Sequence, residues 1–399
     1  MERISRLVVL GLVLALLVVA CGGGGVAEDD GDTTPTTVAG DDGDTTPTTA
    51  AGDDGATTVA DDGDDGDMAA CEAGETDGDL NFYNWTEYID PELVTAFEEE
   101  FGVDVVEDFY DSNEALLARL QSGAVYDLTV PSDYMIAIMI EEGVLMELQK
   151  DAIPNVTNLD PFFADPPFDS GGTYSAAYQW GTTGLGVNMD VVGEDFEPSW
   201  ALVFDPELVA EYPGGISLLN DPRETMGAAL MYLGYSMNST SEAELQEAAD
   251  LITGVRDYIA AFDSDTYAEL LVNGEVAVSH GFSGGYLTAI EDWETHTYVI
   301  PQEGATVWTD NMAIPANAEH PCTAHAFINF LLDAENGATL TNWNYYASPN
   351  EASEEFIDPE ILEDEAVYPS DETFANLVVI EDTGDFEINY TDFFAQARS

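Results

Sequence analysis

Short apolar runs and segments with helical spacing alternate along the chain from residue 79 onward. Leu80 to Tyr83 predicts a short strand, and Asp90 followed by Pro91 predicts the N-cap and first turn of a helix. The apolar positions of that helix fall on one face, and Gly102 predicts its end. The turn between strand and helix therefore lies at the carboxyl end of a strand, where open α/β sheets bind their ligands.

The same alternation predicts a strand at 103–109, a helix at 113–121 and a third strand at 126–130. This order of strands and helices is typical of a parallel sheet that carries helices on both faces. The pattern therefore predicts an α/β fold.

Two long extended segments interrupt this order, one at 174–188 and one at 306–315. Further strands are predicted between them, at 216–219 and 275–279. Two segments that leave one lobe and return to it predict a hinged, two-lobed molecule with a central ligand cleft. We expect the first part of lobe 1 at 79–186, lobe 2 at 187–307, and the return to lobe 1 with the C-terminal helices at 308–399.

Residues 1–21 have the pattern of an export signal, with basic Arg3 and Arg6 followed by an apolar run that is short for a membrane span. A small residue directly before Cys21 resembles the bacterial lipobox, in which the cysteine is acylated and becomes the first residue of the mature protein. We therefore expect an extracytoplasmic protein, in the periplasm or at the cell surface, with a lipid anchor. A plain secreted protein or a single anchor helix is the alternative.

Residues 22–78 are a low-complexity segment of Asp, Gly, Thr and Pro in which residues 29–37 recur at 41–49. The repeat has no apolar face to bury, so it predicts a disordered acidic linker. Its spaced aspartates lack the closing glutamate of an EF-hand loop, and no cofactor or metal is expected.

The chain contains 80 acidic residues and 7 Lys and Arg residues, for a formal net charge of −73. This balance excludes nucleic acid as a partner, because phosphate binding needs clustered basic residues. Adaptation to a salty environment and attraction of cationic ligands are two explanations. We favour the first for most of the acidity, because the acidic residues are spread along the whole chain.

Three cysteines are present. With Cys21 assigned to the lipid anchor, Cys71 and Cys322 remain, and export to an oxidising compartment predicts a disulfide between them. Such a bond would join the start of the folded part to a late helix.

The turn after the first strand contains Trp85, Thr86, Glu87 and Tyr88. Two aromatic rings that flank a carboxylate suit a cation with an apolar body, since ring faces attract positive charge and the carboxylate accepts a charge-assisted hydrogen bond. An aromatic hairpin in the core is the alternative interpretation. The sequence has no nucleophile elbow, P-loop or dinucleotide-binding fingerprint, so we do not expect an enzyme.

Several segments in the same order resemble the polyamine-binding proteins of spermidine/putrescine ABC transporters. They are residues 84–88, 126–132, 180–188, 308–317 and 348–350, which together span most of the chain from residue 80 to 350. The resemblance implies a type II periplasmic-binding-protein fold, a polyamine ligand, and ABC permease subunits as partners. It also implies a monomer that meets the membrane through its lipid anchor only.

The resemblance also implies ligand contacts at defined positions. They fall in lobe 1 and its return on Trp85, Thr86, Glu87, Tyr88, Ser132, Tyr134, Trp308, Asp310 and Tyr346, and in lobe 2 on Asp221, Glu224 and Phe282. Phe282 stands where the spermidine-type pattern has tryptophan, and a further polar contact has no clear counterpart near Ile380. The choice between putrescine and spermidine therefore stays open.

A polyamine is a flexible string of methylene groups with terminal ammonium groups, so its site needs aromatic walls and carboxylates at the ends. We expect Asp310, with Asp221 or Glu224, to bind one end. We expect Glu87, with the hydroxyl groups of Ser132 and Tyr134, to bind another part of the ligand.

Other interpretations stay open. One alternative ligand is another cationic or amino compound. A second is ferric iron, bound by Tyr345 and Tyr346 as a tandem tyrosine site of the kind that some relatives of this fold use. A different class is a hydrolase that uses Asp221, Glu224 or Asp310 as acid and base. Asp221 also suits a helix cap, because Pro222 follows it. His320 and His325 flank Cys322, but they are expected at the start of a helix rather than in a zinc site.

Overall fold

A computed structural model of the chain describes residues 70–399, apart from the side chain of Asp371. The predicted signal peptide, Cys21 and the linker up to residue 69 lie outside the described residues. Between residues 70 and 399, no helix is both long enough and apolar enough to cross a bilayer.

Strands from the whole described chain join one mixed sheet. Their bounds are β1 (Leu80–Trp85), β2 (Val105–Tyr110), β3 (Leu128–Thr129), β4 (Ser175–Asn188), β5 (Ile216–Leu218), β6 (Ile259–Phe262), β7 (Val278–Phe282), β8 (His296–Val299), β9 (Ala305–Ala313) and β10 (Leu377–Val378).

Helices cover both faces and fill the connections between these strands. Their bounds are α1 (Pro91–Phe101), α2 (Asn113–Gln121), α3 (Asp133–Glu141), α4 (Pro161–Ala164), α5 (Met189–Val192), α6 (Ala201–Phe204), α7 (Pro206–Val209), α8 (Pro222–Tyr232), α9 (Glu242–Gly254), α10 (Tyr267–Val272), α11 (Ser283–Ala289), α12 (Pro321–Leu331), α13 (Ala334–Asn344), α14 (Pro359–Leu362), α15 (Asp371–Phe374) and α16 (Glu387–Arg398).

The strands follow the spatial order β2-β1-β3-β9-β4-β7-β5-β6, with β8 paired to β4 and β10 paired to β9. β1 pairs in parallel with β2 and β3, as the strand and helix order predicts. β4 changes partners along its length, pairing with β9 up to Thr182 and with β7 from Thr183 onward. β4 and β9 therefore run from one half of the sheet to the other.

The helix after β1 begins and ends where the sequence predicts. Asp90 accepts a 2.8 Å hydrogen bond from the backbone N–H of Glu92, and Pro91 occupies the first turn. Gly102 ends the helix with φ of 71°, a left-handed conformation that glycine adopts without strain. These two ends fix the position of the turn between β1 and α1.

The strand that carries Phe282 lies later than the predicted range 275–279. The backbone N–H groups of Glu275 and Val276 donate to the carbonyl of Leu270 and close the end of α10. The strand therefore begins at Val278 and extends to Phe282, which places Phe282 at its carboxyl end.

The folded part includes residues before the predicted linker boundary at Gly78. Cys71 and Cys322 form a disulfide with a Cα–Cα distance of 5.2 Å. Asp77 accepts hydrogen bonds from the backbone N–H and the hydroxyl of Thr323, in the first turn of α12. Residues 70–78 therefore pack on the folded part instead of belonging to the linker.

The predicted return segment 308–399 divides between the two halves of the sheet. β10 pairs with β9 at Ala305 and Thr306, and α16 packs against α8 and α9. The Tyr390 hydroxyl donates to the carbonyls of Met237 and Ser239, at 2.8 and 2.9 Å. The last helix therefore packs with the segments assigned to lobe 2.

Candidate ligand site

The turn between β1 and α1 presents a row of side chains at the edge of the sheet. Trp85 donates a 2.9 Å hydrogen bond from its indole N–H to the carbonyl of Val130, which fixes the ring beside β3. Thr86 and Glu87 are exposed, and Tyr88 is buried. Glu87 has φ of 53°, so the turn holds a non-glycine residue in the left-handed region.

All twelve predicted contact residues line one cavity of about 360 Å³. Eight of them come from three neighbouring strands, either from β9 itself or from the segments at the ends of β1 and β3. Phe282 comes from the end of β7, Asp221 and Glu224 from the start of α8, and Tyr346 from the segment after α13. The twelve are Trp85, Thr86, Glu87, Tyr88, Ser132, Tyr134, Asp221, Glu224, Phe282, Trp308, Asp310 and Tyr346.

Aromatic rings form a continuous wall of the cavity. The Trp308 ring centroid lies 5.8 Å from that of Phe282 and 5.3 Å from that of Tyr346. Tyr88 packs edge to face on Tyr346 at 5.2 Å, and Trp85 lies 6.4 Å from Phe282. The wall can cover methylene groups and present ring faces to a cation.

Asp310 is buried in this wall and receives a hydrogen bond from a neighbouring strand end. The Ser132 hydroxyl donates to Asp310 Oδ1 at 2.7 Å. The Tyr134 hydroxyl donates instead to Glu114 Oε1 at 3.0 Å. In this structure the two hydroxyl groups therefore donate to Asp310 and Glu114 and not to the exposed Glu87, with which the sequence analysis groups them.

Two further carboxylates line the cavity at the start of α8. Glu224 accepts hydrogen bonds from the hydroxyls of Thr183, at 3.0 Å, and Thr306, at 2.8 Å. Asp221 accepts from the backbone N–H groups of Arg223 and Glu224, so it is the N-cap of α8 as well as a residue of the cavity. The cap and contact interpretations of Asp221 are therefore compatible.

Burial raises the pKa of these carboxyl groups. The pKa of Asp310 rises to about 7 although the bond from Ser132 lowers it, and the pKa of Glu224 rises to about 7 for the same reason, opposed by its threonine partners. Burial and then the neighbouring charge of Glu224 raise the pKa of Asp221. A bound cation would favour the ionised form of all three groups.

A second acidic group lies at the exposed mouth of the cavity. Glu87, Asp265 and Glu269 line it there. Partial burial, followed by the charges of Glu87 and Asp263, raises the pKa of Glu269. Glu87 comes from the β1–α1 turn and Glu269 from α10, so the mouth has carboxylates on both sides.

Several lining residues have no clear signal in the sequence. Asn113 donates to the Ser132 hydroxyl oxygen at 3.0 Å, which directs the Ser132 proton toward Asp310. Tyr267 packs on Phe282 at 5.8 Å, and Asn344 exchanges hydrogen bonds with Gln179. Asn113 begins α2 after β2, and Tyr267 begins α10 after β6. Several of the predicted contacts also lie between the end of a strand and the start of a helix, so this position is the signal that could have identified both residues.

The close packing around Tyr346 requires glycine at position 284. A Cβ atom there would lie 2.6 Å from the Tyr346 ring and 2.6 Å from the carbonyl oxygen of Asn344. These two contacts explain the glycine at position 284.

The two adjacent tyrosines point to different places. Tyr346 lines the cavity, whereas Tyr345 packs with Leu287 and Ile361 in a separate apolar cluster.

His325 is buried on α12, where its Nε2 accepts a hydrogen bond from the backbone N–H of Gln149. In the described part of the chain, no cluster of three His, Cys, Asp or Glu residues has the geometry to hold a metal ion.

Comparison with known proteins identifies the family of the chain. The model of the family described as "Bacterial extracellular solute-binding protein" matches residues 92–369. The spermidine/putrescine-binding periplasmic protein of Salmonella typhimurium is 35% identical over 334 residues, which cover 83% of this chain and 94% of that protein. A putrescine/cadaverine-binding protein of Pseudomonas aeruginosa is 35% identical over 313 residues, which cover 76% of this chain and 88% of that protein.

A solved structure shows the same fold. The structure of a putative spermidine/putrescine ABC transporter from Listeria monocytogenes has 37% sequence identity to this chain and a TM-score of 0.76, and the match covers 81% of this chain and 99% of that one. The chain has a mixed α/β periplasmic-binding-protein fold, and it belongs to the bacterial extracellular solute-binding proteins, in the family of the spermidine/putrescine-binding proteins of ABC transporters.

Proposed function

We propose that the protein captures a polyamine, spermidine or putrescine, outside the cytoplasm and delivers it to an ABC importer. The observation that carries this proposal is an aromatic cavity that ends in the buried carboxyl groups of Asp221, Glu224 and Asp310. Among residues 70–399, no side-chain nitrogen of Lys or Arg lies within 4.0 Å of these carboxylates. The cavity therefore has the groups to bind a cation and lacks a protein cation in direct contact with them.

The two acidic regions match the ammonium groups of a polyamine, and the aromatic wall of the cavity matches its methylene groups. One ammonium group would lie at the buried end, where Asp310 and Glu224 bind it away from water. The rings of Trp308, Phe282 and Trp85 would cover the methylene groups. The exposed mouth, with Glu87 and Glu269, would face the remaining charge.

The ligands of related proteins support this ligand class. The relatives include proteins that bind spermidine and putrescine, and one that binds putrescine and cadaverine. These ligands share terminal ammonium groups on an apolar chain. Phe282 stands in place of tryptophan in the spermidine-type pattern, so titration with putrescine, spermidine and spermine is needed to measure the preferred ligand length.

We also propose how the whole molecule closes, docks on the transporter and is anchored to the membrane. Its two lobes, joined through β4 and β9, would close on the ligand as a type II binding protein. The closed monomer would then dock on ABC permease subunits. Acylation at Cys21 would anchor the protein to the membrane, with the acidic linker as a tether.

The other ligand classes fit the site less well. Ferric iron would require Tyr345 beside Tyr346, but Tyr345 packs outside the cavity. A hydrolase would use the same carboxylates as acid and base. The hydroxyl donors on these carboxylates and the aromatic wall beside them suit cation binding, and the family is one of solute-binding proteins.

Isothermal titration calorimetry of the purified full-length protein tests the proposal. The ligands are putrescine, spermidine, spermine and ferric citrate, each at several salt concentrations. We expect saturable 1:1 binding of at least one polyamine and no binding of ferric citrate. Absence of binding to every polyamine would reject the proposed function.

A further inference from the structure

Arg223 is a buried cation beside the acidic end of the cavity. It is fully buried, whereas the other Lys and Arg residues in the described range, Arg119, Lys150, Arg256 and Arg398, keep part or most of their side chains in contact with solvent. It does not line the cavity. Its two sequence neighbours in the site, Asp221 and Glu224, both do.

Four contacts fix the guanidinium group of Arg223. It forms an ion pair with Glu387 at 2.5 Å and donates to the Asn238 side chain at 2.8 Å. Both terminal nitrogens also donate to the carbonyl of Glu381 at 3.1 Å. Arg223 is therefore held in one position and is not free to turn away when the cavity fills.

Aromatic rings enclose this cation on two sides. Its Cζ lies 4.3 Å from the centroid of the Tyr390 ring and 5.4 Å from that of Tyr134. Tyr134 is itself part of the cavity lining, so one aromatic ring separates the guanidinium group from the ligand space. Arg223 is buried, and charges interact more strongly in the interior of a protein than in water.

The charge of Arg223 acts on the carboxyl groups of the site. It lowers the pKa of Asp221, Glu224 and Glu114, against the larger effect of burial. The same field repels each ammonium group that enters the buried end. This repulsion grows with the charge of the ligand, so a triamine experiences more of it than a diamine.

We propose that Arg223 is a specificity-determining residue, a fixed protein cation that does not touch the ligand but limits the number of positive charges the site accepts. Glu387 has the opposite influence, because its carboxylate neutralises part of the Arg223 charge. The inference rests on the proposed function, since it concerns the choice among polyamines at that site.

Charge-changing variants of this pair test the inference. We would measure the Kd of putrescine and of spermidine by calorimetry for wild type, Arg223→Gln, Glu387→Gln and the double variant. Work at about pH 7.5 keeps the amino groups of both ligands protonated, so that spermidine carries one positive charge more than putrescine. Circular dichroism and thermal melting identify any variant that fails to fold.

We expect the ratio of the putrescine Kd to the spermidine Kd to rise at least about threefold in Arg223→Gln and to fall at least about threefold in Glu387→Gln. The double variant restores the net charge, and its ratio should return to within about a factor of two of wild type. Arg256→Gln makes the same charge change near the protein surface and should leave the ratio unchanged.

A purely structural role gives a different result. If Arg223 only holds α16 against α8, both single variants weaken both ligands by the same factor, and the ratio stays constant. That outcome overturns the inference while the proposed function stands. If the wild-type protein binds neither putrescine nor spermidine, the proposed function itself is rejected. If Arg223→Gln does not fold, the Glu387→Gln and double variants still decide between the two roles.

Discussion

The hydroxyl of Ser132 donates a 2.7 Å hydrogen bond to Oδ1 of Asp310, although 178 residues separate the two along the chain. Asn113 donates to the same hydroxyl oxygen at 3.0 Å and accepts from the backbone N–H of Ser132. These bonds leave the Ser132 proton directed at Asp310. A buried carboxyl group at the cavity wall is thereby biased toward its ionised form.

Replacing Ser132 by alanine should weaken polyamine binding mainly near neutral pH. Without the hydrogen bond, the pKa of Asp310 rises above its present value of about 7, and more of the protein carries a neutral Asp310. We expect Kd to increase about three- to tenfold at about pH 7, and the difference from wild type to shrink at about pH 9. Calorimetry at both pH values measures this.

The exposed Ser170 provides a matched control. Ser170→Ala should leave Kd unchanged at both pH values. A loss in Ser132→Ala that is equal at pH 7 and pH 9 would contradict a role through the ionisation of Asp310.

The Asp310→Asn variant should separate binding from stability. The amide keeps the shape of the side chain but removes its charge, so polyamine affinity should fall tenfold or more, which corresponds to at least about 1.4 kcal/mol. The ligand-free protein should become more stable above neutral pH, because a buried charge without a cation is removed. Calorimetry and urea unfolding measure the two effects. Equal or tighter polyamine binding would contradict the proposed site.

Stability of the ligand-free protein should fall as the pH rises from about 4 to about 7. Asp310 and Glu224 have folded-state pKa values of about 7, above their ordinary values of 3.8 and 4.5. In this window the folded state retains protons that the unfolded state has lost, so a rise in pH favours unfolding. Each group contributes up to about 3 to 4 kcal/mol to the change.

Urea unfolding at several pH values tests this dependence against the Asp310→Asn variant. The variant should show a smaller decline in the free energy of unfolding between pH 4 and pH 7, since one of the titrating groups is missing. Saturating polyamine should also reduce the decline in wild type, because the ligand stabilises the ionised form. Identical pH profiles for wild type and variant would show that Asp310 does not titrate in this window.

Much of this site is predictable from the sequence, because strand ends are marked by local signals. Asp90, Pro91 and Gly102 define the ends of α1, and the turn before α1 then falls at the sheet edge. The partners of the contact residues are not predictable in this way. The hydrogen bonds from Ser132 to Asp310 and from Tyr134 to Glu114 form because the pairing of distant strands brings these residues together.

The burial of Arg223 also depends on tertiary packing. The residue lies two positions after the cap of α8, where sequence pattern alone favours an exposed basic side chain. Its partners Glu381 and Glu387 come from the last part of the chain, which the lobe prediction assigned elsewhere. Because α16 packs on α8, a surface position becomes a core position.

The disulfide between Cys71 and Cys322 should stabilise the fold without affecting the ligand. It closes a separation of 251 residues and holds the segment around Cys71 on α12. Replacing both cysteines by serine should lower the free energy of unfolding by about 2 to 5 kcal/mol. Polyamine Kd should remain within about a factor of two of wild type, because the bond contributes nothing to the cavity lining. A double variant with unchanged urea stability would contradict this role.

Glu87 and Asp310 should respond differently to salt, because one is exposed and the other buried. Mobile ions screen exposed charges over about 8 Å at physiological salt and about 3 Å at 1 M. Glu87→Gln should therefore weaken polyamine binding by about 1 kcal/mol or less at low salt, and the loss should disappear near 1 M. The loss in Asp310→Asn should persist, since the closed cavity excludes the screening ions. A Glu87→Gln defect that is as large as that of Asp310→Asn and independent of salt would place Glu87 in the buried part of the bound site.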